Sequence, residues 1–449
     1  MKIQVNKNIS SIYNKSGFTI YLVIIVLSIA AIIISVSLYS INSIRNQASS
    51  ELKKFQARML AESGLVRAEY FLSGGDGHSL DWETDSYSEN VNTFGTIAIK
   101  NSMFGAFSQI VSKGKRLDYE CTLKGLFGRD VPELLEPTIT LTGHTGGLEL
   151  KDSSQVSGTV VLFHGGIKHC QAQVIIRESP ALPFDTSAIQ KLFKNCNQQF
   201  LRILSAKNAI SGNKEFINNQ DSSMVKDTII IFGDCELNDV DIINKCFAVS
   251  GKLTIDQKSR IEQSAFFCEK CEIKEATTNS SLFFSQKKMT IDNGFHNSQF
   301  IANDTIQIGK KAQFGNLTLC INYREIRNDS IVSGGVYLEE QSRFNGIMIS
   351  GIDSIAKKRE WRSSIFLGKQ AVVNGIIITD HSLFMRENQI KGHIWARRIE
   401  SSDDKMSYTN FLFSCIVTPV QENFPFPLFG PPPVSIRLSA ARVRFERSK

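Results

Sequence analysis

The sequence predicts an α+β chain. A long N-terminal transmembrane and stalk helix comes first, then a small antiparallel sheet, then a mainly-β right-handed parallel β-solenoid with a helical insertion. Three observations carry this. Residues Phe18 to Leu38 hold no charge and only Thr19, Ser28, Ser35 and Ser37 as polar breaks. Short strand-like runs, Gly95 to Lys100, Ala106 to Ser112 and Leu117 to Leu126, come before the first proline, Pro132. From about Pro137 the β runs shorten and recur at a constant step.

The helix is the first element to justify. About 20 apolar residues cross a bilayer as a helix, and Phe18 to Leu38 meets that length. No proline interrupts the chain from there to Leu72. Ile44, Ala48, Leu52, Phe55 and Met59 recur at intervals of three and four, which marks one helix face, while Glu51, Lys53, Lys54 and Arg58 take the other. At roughly 1.5 Å per residue, Phe18 to Leu72 makes a rod on the order of 80 Å long, half in lipid and half a protruding stalk. The glycines of Ser73-Gly74-Gly75-Asp76-Gly77 stop it.

Ahead of the apolar run lies a leader with Lys2, Lys7 and Lys15 and no acidic residue. A secretory signal places its cleavage site after its apolar core. Here the cleavage signal, Gly17/Phe18 within Ser16-Gly17-Phe18-Thr19, stands before it. This arrangement resembles the class III leader of type IV pilins and of the pseudopilins of type II secretion systems. Ala61-Glu62-Ser63-Gly64-Leu65, with Ala68, resembles the turn of minor pilins of the PilX N-terminal type. The resemblance implies cleavage after Gly17 by a prepilin peptidase and methylation of the new N-terminal Phe18. It departs from the family at the fifth mature position, where Leu22 replaces the Glu of most major pilins. That favours a low-copy or tip subunit over a bulk filament subunit.

Composition sets further bounds. At 449 residues there is room for two or three domains beyond the helix, and a net charge of +7 gives no support to a nucleic-acid partner. The nine cysteines are odd in number and spread from Cys121 to Cys415, unlike a dense disulfide framework.

The β-solenoid rests on repeats. In Cys235-Glu236-Leu237, Leu253-Thr254-Ile255, Cys271-Glu272-Ile273, Met289-Thr290-Ile291 and Ile306-Gln307-Ile308, the third residues step by 18, 18, 18 and 17. Phe267, Phe284 and Ile301 step by 17 and 17. A longer phrase runs from Leu150 to Gly158, Leu338 to Gly346 and Leu367 to Gly375, with a shortened copy ending at Gly392. Such a step reads as one solenoid coil, whose apolar side chains are buried by stacking at about 4.8 Å. Leu237, Ile255, Ile273, Ile291 and Ile308 are the expected core. A β-sandwich explains short strands but not a constant step.

The solenoid is expected over 137–400, interrupted at about 184–206 by an amphipathic helix with Asp185 as N-cap. Its apolar stripe is Ile189, Leu192, Phe193, Cys196, Phe200 and Ile203, placed on the solenoid flank or over its open end. The other divisions are a leader at 1–17, the helix at 18–72, a small β region at 73–136 and a C-terminal tail at 401–449. The tail holds the stiff Phe424 to Pro433 run and a basic end.

Three groups of residues invite a chemical reading. Cys268-Glu269-Lys270-Cys271 lacks the second ligand pair of a zinc site, and Cys271 shares a column with Leu253 and Met289, so it reads as core. Asp234, Asp239, Asp241, Asp256, Asp292 and Asp380 are scattered, with Lys274 between Asp256 and Asp292. Asp380-His381 is a lone dipeptide. No enzyme activity, metal or cofactor is expected.

The expected function is therefore assembly into, or capping of, a pilus or type II secretion-like filament. Leu22, Ile25, Ile32 and Phe55 would lie on the membrane and filament helix. The solenoid would serve adhesion, cargo contact or assembly priming. Implied partners are other pilin-like subunits, a prepilin peptidase, an inner-membrane assembly platform and membrane lipid. The implied location is the inner membrane, single-pass, with the bulk periplasmic or extracellular. The alternatives are a membrane-anchored carbohydrate-active β-helix enzyme and a membrane-anchored solenoid scaffold.

Overall fold

The structure is a computed structural model, and it describes residues 9–72, 84–91, 94–128, 135–143, 147–162, 167–168, 173–176, 186–205, 210–211, 228–324, 334–352, 363–402, 406–419, 424, 426–427 and 445–448. The expected helix stop at 73–77 and the Asp185 N-cap lie outside these residues.

Helix α1 spans Ile9–Leu72 without a break. Its second half packs on an antiparallel sheet of β1 (Thr84–Val91), β2 (Gly95–Phe104), β3 (Phe107–Arg116) and β4 (Tyr119–Phe127). The C-terminal strand Phe445–Ser448 pairs antiparallel with β4 as a fifth member. Polar and apolar residues alternate along β2 to β4, and the apolar set, Ile97, Ile99, Ile110, Leu123 and Phe127, is buried under the helix.

From Ile139 to Thr418 the strands pair in parallel, coil upon coil, except Ser407–Thr409, which runs antiparallel to Glu400–Ser402. Leu237, Ile255, Ile273, Ile291 and Ile308 stand opposite one another in turn, and Leu338 and Leu367 extend the same column. The two repeat phrases of the sequence are thus one structural repeat. A second inner column holds Phe247, Phe266, Phe283 and Phe300, whose rings stack at 4.8, 5.0 and 5.3 Å between centroids. Gly346, Gly375 and Gly392 stack at one corner. Gly375 has φ +148°, and a Cβ there would overlap the Gly346 carbonyl oxygen, so no other residue fits.

Stacking order differs from chain order. Ile139–Leu141, the first strand of the solenoid, lies on Ile394–Ala396, near its end. Thr159–Leu162 stacks on Ile139–Leu141, and Gln173–Ile176 on Thr159–Leu162. At the opposite end, Ile210–Ser211 lies on Thr228–Ile231, which lies on Cys246–Val249. The chain therefore builds one end, crosses to the other, and winds back to meet its own first coils.

Helix α2 (Thr186–Leu204) makes the crossing along the flank. It touches strands from Arg343–Ile352 back to Thr228–Ile231. Ile189 lies near Gly351, and the Phe193 ring meets Tyr323 at 5.2 Å and Phe284 at 6.1 Å. At 19 residues the helix is about 28 Å long. Six coil steps, from Ile349 to Ile230, span about 29 Å, so helix and stack match in length.

The flank facing α2 is itself apolar. Phe267, Phe284 and Ile301, the second repeat series, point outward and continue as Ile321, Ile349, Ile378 and Trp395. Because the inner neighbours are also apolar, these strands read as continuous hydrophobic runs, the mark of a sheet covered on both faces. The cover consists of α2, the β2–β3 hairpin and the C-terminal Phe424 and Phe426.

This corrects the tail at 401–449. Ile416–Thr418 pairs with Gln389–Lys391 and with Gln155–Val156, so the coils continue past residue 400. Phe424 and Phe426 are fully buried, both packed into the apolar cluster of the flank.

Candidate functional site

From Ile20 on, the first half of α1 packs against none of the described residues. Ile20 to Leu38 is exposed on every face, Leu22, Ile25 and Ile32 included. Among the described residues this is the one helix long and apolar enough to cross a membrane. Two of its hydroxyls are satisfied within the helix, Ser28 Oγ donating to Ile24 O and Ser35 Oγ to Ala31 O at 2.8 Å each. A spanning helix needs that internal satisfaction, since lipid offers no partner. Gly17 and Phe18 lie in the helical backbone, while residues 1–8 are outside the described set.

The second half is seated by small residues. Ala57, Ala61 and Ala68 are buried against the sheet with Leu60, Leu65 and Phe71. A Cβ on Gly114 of β3 would overlap Ala57 O and Ala61 N, and one on Gly64 would overlap Ser112 Oγ. Helix and strand thus approach backbone to backbone. That is the physical content of Ala61-Glu62-Ser63-Gly64-Leu65: small residues where the sheet comes closest, with Ser63 exposed and Glu62 half-buried and paired with Arg58. Polar clamps fix the height of the seat. Tyr119 OH and Ser50 Oγ are 2.7 Å apart, and Arg116 Nε donates to Gln56 Oε1 at 3.1 Å. Arg67 pairs with Glu89 and lies over the Phe71 and Tyr87 rings.

The face opposite this seat is apolar and open. Ile44, Leu52, Phe55 and Met59 are exposed, and Val66 and Tyr70 carry the stripe upward. Sequence periodicity found the lower part of this outward stripe. It missed the buried seam, because Ala and Gly contribute little to an apolar pattern.

The solenoid residues singled out for chemistry are dispersed into structural roles. Cys235 and Cys271 share the inner column with Leu253 and Met289, and Cys268 lies beside them, all buried. Burial raises the Cys268 thiol well above its usual range, and the neighbouring Cys271 adds to this. Burial also pushes Cys196 up to about 12. Asp256 faces Lys274 at 3.9 Å, and Asp234 accepts from the Lys252 amide at 2.7 Å. His381 is joined by partners the sequence did not link to it. Ser382 Oγ donates to Glu400 Oε1 at 2.7 Å and lies 2.9 Å from His381 Nδ1, while Arg398 Nε donates to Ser382 Oγ at 2.9 Å. Ser382 is fully buried, so its hydroxyl is spent within this network. No group of three or more His, Cys, Asp or Glu is gathered for a metal ion among the described residues.

No family model matches the chain, and no curated protein matches it in sequence. Among solved structures it is similar to the crystal structure of competence-associated pilin ComZ from Thermus thermophilus. The TM-score is 0.25 and the identity 9%, over 88% of this chain and 98% of that one. A likeness of that degree carries no argument, and the functional reading rests on the residues above.

Proposed function

We propose that the chain is a minor pilin or pseudopilin-like subunit, anchored by α1 in the inner membrane and assembled into, or capping, a pilus or type II secretion-like filament. The observation that carries this is the division of α1. One half is apolar and exposed all round, and the other is seated on its own sheet while presenting the stripe from Ile44 to Tyr70. In this reading Leu22, Ile25 and Ile32 contact lipid before assembly and pilin-like partners afterwards, and Phe55 contacts a neighbouring stalk. Leu22 in place of Glu suits a subunit present in few copies. The solenoid then faces away from the membrane as a surface for adhesion, cargo or priming.

Processing tests the reading. Co-expression with a prepilin peptidase should yield a mature chain beginning at methylated Phe18, detected by N-terminal sequencing and intact mass. A chain that keeps Met1 under those conditions overturns it.

A further inference from the structure

Strand β3 descends along α1 toward the helix N-terminus: Ser112 faces Gly64, Gly114 faces Ala57 and Ala61, and Arg116 bonds Gln56. The turn into β4, Leu117 and Asp118, is therefore the lowest point of the sheet, near the height of Ser50 to Gln56. Arg45 is the first charge after the apolar run, and Ser50 lies on the order of 8 Å above it along the helix. The polar layer on each side of a bilayer is itself about 5–8 Å thick. Counted from Leu38, where the apolar run ends, Ser50 is about 18 Å up the helix, so an upright α1 holds the sheet edge roughly 10 Å above the headgroups, and a tilt of α1 toward its sheet brings the edge down to them.

The residues at that edge suit the place. Leu117 is exposed and held at φ +53°, a left-handed conformation that is uncommon for any residue but glycine. Phe94, just below Gly95 on the neighbouring strand, is exposed to the same degree, and Leu52 and Phe55 of α1 stand exposed at this level. Around them, Lys54 pairs with Glu51, Arg58 with Glu62 and Lys113 with Glu120. Against Asp118 stand Arg45, Lys53, Lys115 and Arg116. Exposed apolar side chains with an excess of basic residues close by in the chain match the pattern of surfaces that bind anionic interfaces.

We propose that Phe94 and Leu117, supported by Lys53, Lys115 and Arg116, dock the lower edge of the sheet onto an anionic phospholipid surface while the chain is membrane-anchored. The inference rests on the membrane reading of α1. Docking at a second point holds the stalk and head at one tilt instead of letting them swing about the helix.

The test uses the full chain in vesicles whose lipids carry brominated acyl chains, which quench indole emission on contact. Leu117→Trp, Ile32→Trp and Phe232→Trp variants are compared, each as added emission over the three native tryptophans. Phe232 is an exposed solenoid residue, and buried Trp395 reports folding. In phosphatidylglycerol vesicles the Leu117→Trp signal should be blue-shifted and more than half quenched, and several-fold less so in phosphatidylcholine. Adding Lys53→Glu and Lys115→Glu should remove most of the quenching. A Leu117→Trp signal no more quenched than that of Phe232→Trp, or equally quenched in both lipids, overturns the proposal. If Ile32→Trp is quenched in the same sample, only the docking fails; if it is not, the membrane reading of α1 fails as well.

Discussion

Gln299 grips the backbone on both sides of Gly105: its Oε1 accepts from the Ala106 amide at 2.8 Å, and its Nε2 donates to Phe104 O at 2.9 Å. Gln299 is a solenoid residue and the 104–107 turn belongs to the small sheet, so one buried amide ties head to stalk. Gln299→Ala removes both bonds and leaves a backbone donor and acceptor unpaired, at a cost of about 1–3 kcal/mol. The expected result is faster amide hydrogen exchange at Ala106 and a lowered Tm, with the exchange of Ile291 and Ile308 in the inner column unchanged.

The seat of α1 makes a sharper prediction. Gly114→Ala puts a methyl into helix backbone at Ala57 and Ala61, which cannot turn aside as a side chain can. Overpacking of this kind costs about 1–3 kcal/mol. Met59→Ala, on the open face of the same helix, should stay within about 0.5 kcal/mol of the parent. Urea denaturation of the two variants side by side checks both values, and equal losses would contradict the seat.

How far this architecture was legible depends on which residues speak for an element. The Leu237 to Ile308 column could be read because a fixed step and alternate apolar positions are both visible in one dimension. The joining of Ile139 to Ile394 could not, because a parallel strand pair leaves no local mark on either strand. Phe267, Phe284 and Ile301 showed their register but not their face, since Phe266, Phe283 and Phe300 beside them are equally apolar. Phe424 and Phe426 were concealed by their prolines, which signal an extended backbone and say nothing of where the rings go. At α1 the large side chains of the open stripe were visible, and the alanines and glycine that carry the packing were silent.

Acid should loosen the solenoid through a buried imidazole. His296 is enclosed between Phe300 and Phe314, with Nδ1 3.2 Å from Thr278 Oγ1 and Nε2 3.0 Å from Asn293 O. Burial lowers its pKa to about 4, against 6.5 in the unfolded chain. Between those values the unfolded state binds the extra proton, so stability rises with pH across that window and is level above it. Falling from pH 6.5 to about 4 should cost at most about 3 kcal/mol from this residue. His393, also lowered by burial, adds in the same direction. His296→Gln should flatten most of the slope of Tm against pH between 7 and 4. An unchanged slope would show that another group carries it.

The exposed stripe on α1 allows a test that separates folding from the proposed assembly. Phe55 is 59% exposed and Ala61 is fully buried, although the two lie less than two turns apart on one helix. A benzophenone amino acid at Phe55 should therefore form adducts with pilin-like partners in membranes, whereas one at Ala61 should find only its own sheet or fail to fold. Phe55→Glu should leave the urea midpoint of the parent nearly unchanged, since the side chain buries almost nothing in the isolated chain. The same substitution should abolish co-purification with those partners, because a charge in a helix–helix seam is desolvated without a mate. Loss of association together with loss of stability would place Phe55 in the fold of the chain; loss of association alone would place it in the contact between chains.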